Sequence, residues 1–241
     1  MMNLSPLKEP SGILLVNKPK GKTSFSLVAM LRKIYKVKKI GHAGTLDPFA
    51  TGVMVLLVGK TYTRLSDQFL CEDKEYEAVL KLGVETDTYD LEGVTTSTSD
   101  HIPSLENIQE AILPFQGTIL QTPPMYSAKK INGKKLYELA RNGITIERQA
   151  RQVNVQIDLI EYTYPYVKIY VRCSKGTYIR SLGFDIGRSL GCGAHLTALN
   201  RTRSGSFLLK DCIDGTLLQN PPNGYNFEEH LQSIVPSISL I

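Results

Sequence analysis

Segment 41–52 (GHAGTLDPFATG) puts a histidine and an aspartate among three glycines. Glycine opens backbone conformations that other residues avoid, and a residue that precedes proline is pushed toward an extended shape. Asp47, before Pro48, therefore presents its carboxylate in a fixed direction, as a nucleophile or electrostatic stabiliser requires; an aspartate before proline is also a common turn-former. A second constellation is 175–182 (KGTYIRSL), in which a strand is expected to end at Gly176 and a helix to begin. Thr177 can cap that helix, and Tyr178 and Arg180 fall in its first turn, as surface side chains or as groups that face a site. If Arg180 faces Asp47, the guanidinium holds the carboxylate ionised, because an opposite charge nearby lowers an aspartate pKa.

The third constellation, 123–141 (PPMYSAKKINGKKLYELAR), interleaves Tyr126 and Tyr137 with Lys129, Lys130, Lys134 and Lys135. Aromatic faces stack bases and ammonium groups hold phosphates; core packing is the competing account for at least one of the tyrosines. Two look-alikes are set aside. Gly21-Lys22-Thr23 and Gly59-Lys60-Thr61 resemble the end of a phosphate-binding P-loop, but Val16 and Met54 stand where its first glycine belongs. There is no G-x-S-x-G elbow, which weakens a serine hydrolase reading. The four cysteines and four histidines show no paired metal-ligand spacing, so no metal is expected.

Charge falls in blocks. Segment 11–46 has eight basic residues and no acid, and segment 123–151 has seven basic residues against two acids. Between them, segment 67–110 has twelve acids against two lysines. A localised positive face attracts phosphate backbones, although solvated helix faces give the same pattern.

The elements that must position these residues are expected as follows. Val153, Val155, Ile157 and Leu159 alternate with polar residues, as do Val167, Ile169, Val171 and Cys173, so both stretches predict strands with one buried face. Tyr76, Ala78, Leu80 and Leu82 predict a third, and 53–58 a strand buried on both sides. Ile179, Leu182, Ile186 and Leu190 mark one helix face that stops at Gly191. Further helices are expected at 26–34, 62–69, 105–113 (capped by Ser104) and 135–141. The 241 residues are 42% hydrophobic and 21% charged, enough for a real core. No apolar run reaches membrane-spanning length and no leader is evident, so a cytoplasmic protein without membrane contact is expected. The fold class is α+β, a mixed and largely antiparallel sheet flanked by helices. The domain expectation is a main domain over 1–210 and a short appendage over 211–241.

Seven segments in order, 17–24 (NKPKGKTS), 41–52, 74–78 (KEYEA), 86–93 (TDTYDLEG), 123–130 (PPMYSAKK), 174–182 (SKGTYIRSL) and 191–203 (GCGAHLTALNRTR), resemble the TruB family of tRNA pseudouridine synthases. The resemblance covers roughly 12–207. It implies a pseudouridine-synthase fold, isomerisation of the uridine conventionally numbered 55 in the T loop of tRNA, no cofactor, and a monomer bound to the tRNA T arm. It assigns the catalytic aspartate to Asp47, the base-stacking tyrosine to Tyr76, the tyrosine and arginine of the GTYIR motif to Tyr178 and Arg180, a packing leucine to Leu199 and a base-displacing histidine to His42. Lys18, Tyr126, Lys129 and Lys130 complete the expected substrate contacts. Many family members continue into a C-terminal RNA-binding module. Here about thirty residues follow Asp211 and match poorly, so the grip on RNA is expected to rest on 123–151. Rival readings are a non-catalytic RNA-binding protein and a hydrolase that releases uracil.

Overall fold

The computed structural model describes residues 9–131 and 133–233. It divides into two compact units: one comprises the described parts of Met1–Glu72 and Arg201–Ile241, the other Asp73–Asn200. The residues of the 211–241 appendage beyond 233, Pro236 included, lie outside the described residues.

The first unit opens with strand β1 (Gly12–Lys18), helix α1 (Ser24–Tyr35), strands β2 (Ile40–Ala43) and β3 (Thr51–Val58), and short helices α2 (Gly59–Thr63) and α3 (Ser66–Cys71). β1 and β3 pair antiparallel from Gly12 opposite Val58 to Lys18 opposite Gly52. β2 pairs antiparallel along the other edge of β3, with His42 opposite Leu56. Both faces of β3 are buried, as its unbroken apolar run predicts. Ile13, Leu15, Val53, Val55 and Leu57 form one core cluster with Ala43 and Phe207, while Leu14, Val16, Met54 and Leu56 are fully buried on the opposite pleat. In α1, the Thr23 side chain accepts from the Ser26 N–H and caps the helix, whose buried positions Leu27, Val28 and Leu31 keep helical spacing.

The expected helix at 62–69 is broken in two. The Thr63 hydroxyl donates to the carbonyls of Gly59 (3.0 Å) and Lys60 (3.2 Å), and such back-bonding competes with continued helix. Tyr62 and Phe69, one on each piece, pack against the core cluster.

The second unit contains strands β4 (Lys74–Leu82), β5 (Val84–Thr86) and β6 (Thr95–Thr98), helix α4 (Leu105–Ile112), strands β7 (Gly117–Gln121), β8 (Lys130–Ile131) and β9 (Lys134–Lys135), helix α5 (Leu136–Arg141), strands β10 (Arg151–Thr163) and β11 (Tyr166–Cys173), helix α6 (Ile179–Ser189) and strand β12 (Ala194–Ser204). The strand order is β12-β4-β11-β10-β7, and β4, β11, β10 and β7 are joined by antiparallel pairing. Tyr76 lies opposite Val171, Ala78 opposite Ile169 and Leu80 opposite Val167, so the inward residues of β4 and β11 share one face, as their alternation predicts. β5–β6 and β8–β9 are separate hairpins. Ser104 forms a capping box with Asn107 at the start of α4, where the sequence places a cap.

The last four residues of β12, 201–204, belong to the first unit, which closes with strands β13 (Phe207–Leu208) and β14 (Ile213–Asp214). β13 pairs with the end of β12, and β14 lies parallel to β1, so the pairing is mixed but largely antiparallel. The fold class is thus α+β with flanking helices. Among the described residues no helix is long and apolar enough to cross a membrane.

Two glycines allow α6 to approach its neighbours. A Cβ on Gly183 would sit 2.5 Å from the Leu80 Cδ2 methyl, and one on Gly187 would sit 2.3 Å from the backbone nitrogen of Ala194. A methyl can rotate away; a strand backbone cannot. Gly187→Ala should therefore cost about 1–3 kcal/mol or more and Gly183→Ala less. Urea unfolding of the two variants checks the order, and a more stable Gly187→Ala would contradict this packing.

Candidate active site

In the first unit the loop that carries Asp47 is fastened on both sides of that residue. On its N-terminal side, the buried Ser24 hydroxyl donates to the Leu46 carbonyl (3.1 Å) and accepts from the Leu46 N–H (2.9 Å). On its C-terminal side, the Pro48 carbonyl accepts from the Gly21 N–H (2.8 Å) and the Lys18 ammonium (3.1 Å). Leu46, Phe49 and Ala50 are buried, and Asp47 itself is half-buried. Segment 17–24 thus serves as the cradle of the aspartate loop.

Lys18 belongs to that cradle. Its side chain is fully buried, and its ammonium also donates to the carbonyls of Pro19 (3.0 Å) and Lys22 (2.6 Å). The expected substrate contact is therefore placed under the loop, with its charge spread over backbone oxygens. Arg201, only 1% exposed, anchors the loop's two ends: Nε donates to the Val53 carbonyl (2.7 Å) and Nη2 to the Gly44 carbonyl (3.2 Å). Gly52 has φ +108, and a Cβ there would stand 2.3 Å from the Arg201 carbonyl oxygen, so only glycine fits.

His42, on β2, is half-buried, and its buried Nδ1 finds no hydrogen-bond partner among the described residues. Burial, followed by the Arg201 charge, pushes its imidazole below the ordinary value of 6.5.

In the second unit Tyr76 and Leu199 are buried on β4 and β12, 8% and 7% exposed. Tyr178 is the N-cap residue of α6, and its phenol makes no capping bond. Thr177, the expected cap, instead donates its hydroxyl to the Ser174 carbonyl (2.9 Å), because the turn through Gly176 (φ +82) carries it away from the helix end. The Gln121 carboxamide binds Tyr178, accepting from its N–H (2.7 Å) and donating to its carbonyl (3.0 Å).

Arg180 is 5% exposed. Nη1 donates to the Thr88 carbonyl (2.9 Å) and to Asp90 Oδ2 (3.2 Å), and Nη2 to the Tyr126 carbonyl (2.6 Å). The other Asp90 oxygen accepts from the Thr88 hydroxyl (2.6 Å) and the Glu92 N–H (3.0 Å), so the carboxylate organises its own turn while it pairs with the arginine. Tyr89, at φ +64, stacks on Phe184 of α6 at 3.9 Å. Asp90 and Gln121 received no role from the sequence. The segment TDTYDLEG was a usable signal for the first; nothing local marks the second.

Tyr126 joins this network through its backbone, and its hydroxyl reaches Asp87 Oδ2 at 3.4 Å. Tyr137 carries the Lys135 ammonium and the Arg141 guanidinium over its ring at 5.3 and 5.4 Å, so it is a cation platform rather than a core residue. Lys130 and Lys134 are exposed on the β8–β9 hairpin, and Lys129 precedes it, half-buried, its pKa lowered by burial and then by the Arg151 charge. Among the described residues no three His, Cys, Asp or Glu side chains gather as a metal set.

The His42 shift has a measurable consequence. The unfolded protein takes up that proton more readily than the folded one. The linked stability is intact above 6.5 and is lost as pH falls through the lowered folded-state value. An NMR titration of the His42 ring should give a midpoint below 6.5; a midpoint at or above it contradicts the buried neutral imidazole.

Comparison with known proteins adds the lineage. Residues 32–179 match the family described as TruB family pseudouridylate synthase (N terminal domain), and residues 180–235 match the tRNA pseudouridylate synthase B C-terminal domain. The second match takes in most of the tail that the sequence motifs leave uncovered. The chain is similar to proteins named tRNA pseudouridine synthase B in Protochlamydia amoebophila (61% identical; 91% of this chain, 84% of the relative), Chlamydia felis (59%; 89% and 91%) and Clostridium novyi (47%; 95% and 78%). Its fold is similar to a chain in the crystal structure of a Cbf5-Nop10-Gar1 complex, with a TM-score of 0.71, 30% identity and coverage of 92% of this chain and 60% of that one. A second likeness is to a chain of an H/ACA RNP bound to a substrate RNA containing 2'-deoxyuridine, with a TM-score of 0.65, 29% identity and coverage of 88% and 53%. The motifs, the fold and these matches agree: the chain belongs to the TruB family of pseudouridylate synthases.

Proposed function

We propose that this chain is a tRNA pseudouridine synthase, an isomerase that converts the uridine conventionally numbered 55 in the T loop to pseudouridine. Its family and the names of its relatives support action on tRNA. The observation that carries the chemical reading is the loop fastened at Leu46 and Pro48, which leaves Asp47 between two fixed points. A carboxylate presented in that way suits attack on, or stabilisation of, an electron-poor sugar carbon.

In this reading the target uridine is swung out of the T loop. Tyr76 supplies a stacking surface in place of the lost base stacking, worth roughly 1–3 kcal/mol per base. His42 helps to displace the target base, its neutral ring bringing no charge to it, and Leu199 is the packing leucine. The N1–C1′ bond breaks while Asp47 holds the ribose. The uracil turns without leaving, and C5 bonds to C1′. The C5 proton passes to a base, for which Tyr76 and Tyr178 are the candidates, and ends on N1, so atoms and electrons balance. Arg180 joins the reaction through the GTYIR motif that it shares with Tyr178. Tyr126, Lys129, Lys130 and the rest of 123–151 hold the T arm. Catalysis is assigned to 1–210, with 211–241 as an appendage, in a cytoplasmic monomer.

Asp47→Asn keeps the size and removes the charge. It should abolish pseudouridine formation and C5 hydrogen exchange in a T-arm hairpin while leaving RNA binding largely intact; full activity would refute the nucleophile. Free uracil among the wild-type products would favour a hydrolase, and RNA binding without any conversion a non-catalytic protein. Replacement of Lys129, Lys130, Lys134 and Lys135 by alanine should weaken hairpin binding and flatten its dependence on salt by about 0.7–0.9 in a log–log plot for each phosphate no longer neutralised. An unchanged slope would remove this block from the interface.

A further inference from the structure

Gln121 has no assigned role, yet it is one of the most constrained polar side chains of the second unit. It is the last residue of β7, 3% exposed, and its carboxamide meets both backbone groups of one residue, Tyr178. The carboxamide oxygen accepts the Tyr178 N–H at 2.7 Å, and the carboxamide N–H donates to the Tyr178 carbonyl at 3.0 Å. This is the pairing that a neighbouring strand would offer, supplied by a side chain where the strand has ended. Tyr178 needs it: it is the N-cap of α6, with extended φ −104 and ψ 108, its own side chain makes no capping bond, and Thr177 is turned to Ser174.

The residues after Gln121 hold the same helix start. The Ser181 hydroxyl donates to the Thr122 carbonyl (3.3 Å), and Arg180 Nη2 donates to the Tyr126 carbonyl (2.6 Å). Three successive holds thus grip residues 178, 180 and 181 from one strap. The strap is itself set by β7, which pairs with β10 up to Gln121 opposite Arg151.

We infer that Gln121 is a positioning residue for the isomerisation, fixing the Tyr178 backbone so that its phenol and the first turn bearing Arg180 are held in the productive direction. The inference rests on the proposed reading of Tyr178 and Arg180 as parts of the reaction site. Its chemistry is specific to a carboxamide of this length. Glutamate keeps the shape but, when ionised, offers no donor to the Tyr178 carbonyl; when protonated, its O–H and C=O reproduce the donor and acceptor pair. Leucine removes both.

The test measures kcat for pseudouridine formation in a T-arm hairpin, hairpin Kd and thermal unfolding for wild type, Gln121→Leu, Gln121→Glu and Asp47→Asn. For Gln121→Leu the expected result is a kcat loss of roughly 10- to 100-fold with Kd within about twofold, as misplacement of a reacting group produces. For Gln121→Glu the ratio of its kcat to wild type should rise as pH falls from 8 toward 5.5, as the acid regains its proton. A folded Gln121→Leu with wild-type kcat, or a loss confined to Kd, overturns the inference. If Gln121→Leu does not fold, the Glu variant decides: a kcat ratio flat with pH overturns it, and a recovering ratio at constant folded fraction supports it. Failure of the underlying reading looks different, because wild type would then make no pseudouridine or Asp47→Asn would lose none.

Discussion

The Lys18 ammonium is fully buried, and a charge taken out of water costs several kcal/mol unless its hydrogen bonds are replaced. The carbonyls of Pro19, Lys22 and Pro48 replace them. The ammonium can therefore stay inside only while two segments thirty residues apart keep their shapes together. The same Pro48 carbonyl takes the Gly21 N–H, and Ser24 from the same cradle holds Leu46. Burial of one cation thus becomes the orientation of Asp47.

Arg201 and Arg180 repeat the device. Arg201 spans from Gly44 to Val53 and closes the ends of the aspartate loop; Arg180 spans from Thr88 and Asp90 to Tyr126 and ties the acidic turn and the strap after β7 to α6. Arginine suits both places because its planar fork can serve several acceptors at once and does not lose its charge on burial. Each of the three cations acts largely on backbone oxygens, so what it controls is the path of the main chain. That is the property these loops need, since they have no ladder of their own to fix them.

Elements with clean periods were legible. β4 and β11 alternate without interruption, β10 does so only as far as Ile157, before the register slips between Leu159 and Glu161, α6 carries its apolar face up to Gly191 at φ +73, and α1 and α4 begin at hydroxyl caps. β12 was quoted only as a motif, because its order of Ala194, His195, Leu196, Thr197 and Ala198 has no simple alternation: His195 is buried with its Nδ1 on the Val84 carbonyl, while Ala198 is exposed. Asp47 stood out by its own loop chemistry, before a proline and among glycines, while the catalytic role proposed for it came with the family resemblance. Lys18 was not, since a lysine reads as solvated until the carbonyls around it are known, and two of its three lie in its own turn where no pattern announces them. Asp90 and Gln121 act across 90 and 57 positions, and a single sequence holds no trace of such a pairing. The two-unit division is equally silent, because the first unit is made of both ends of the protein.

The β8–β9 hairpin sets Lys130 directly opposite Lys135, each strand only two residues long, with no buried face of its own beyond Leu136 at its exit. Like charges facing across a ladder repel, and a two-stranded ribbon of this size is marginal in water. A polyanion laid over it cancels that repulsion. On the proposed reading of 123–151 as the grip on RNA, closing the ribbon and holding the polyanion would be one linked equilibrium, and a neutral side chain at either position would make a firmer ribbon and a poorer clasp.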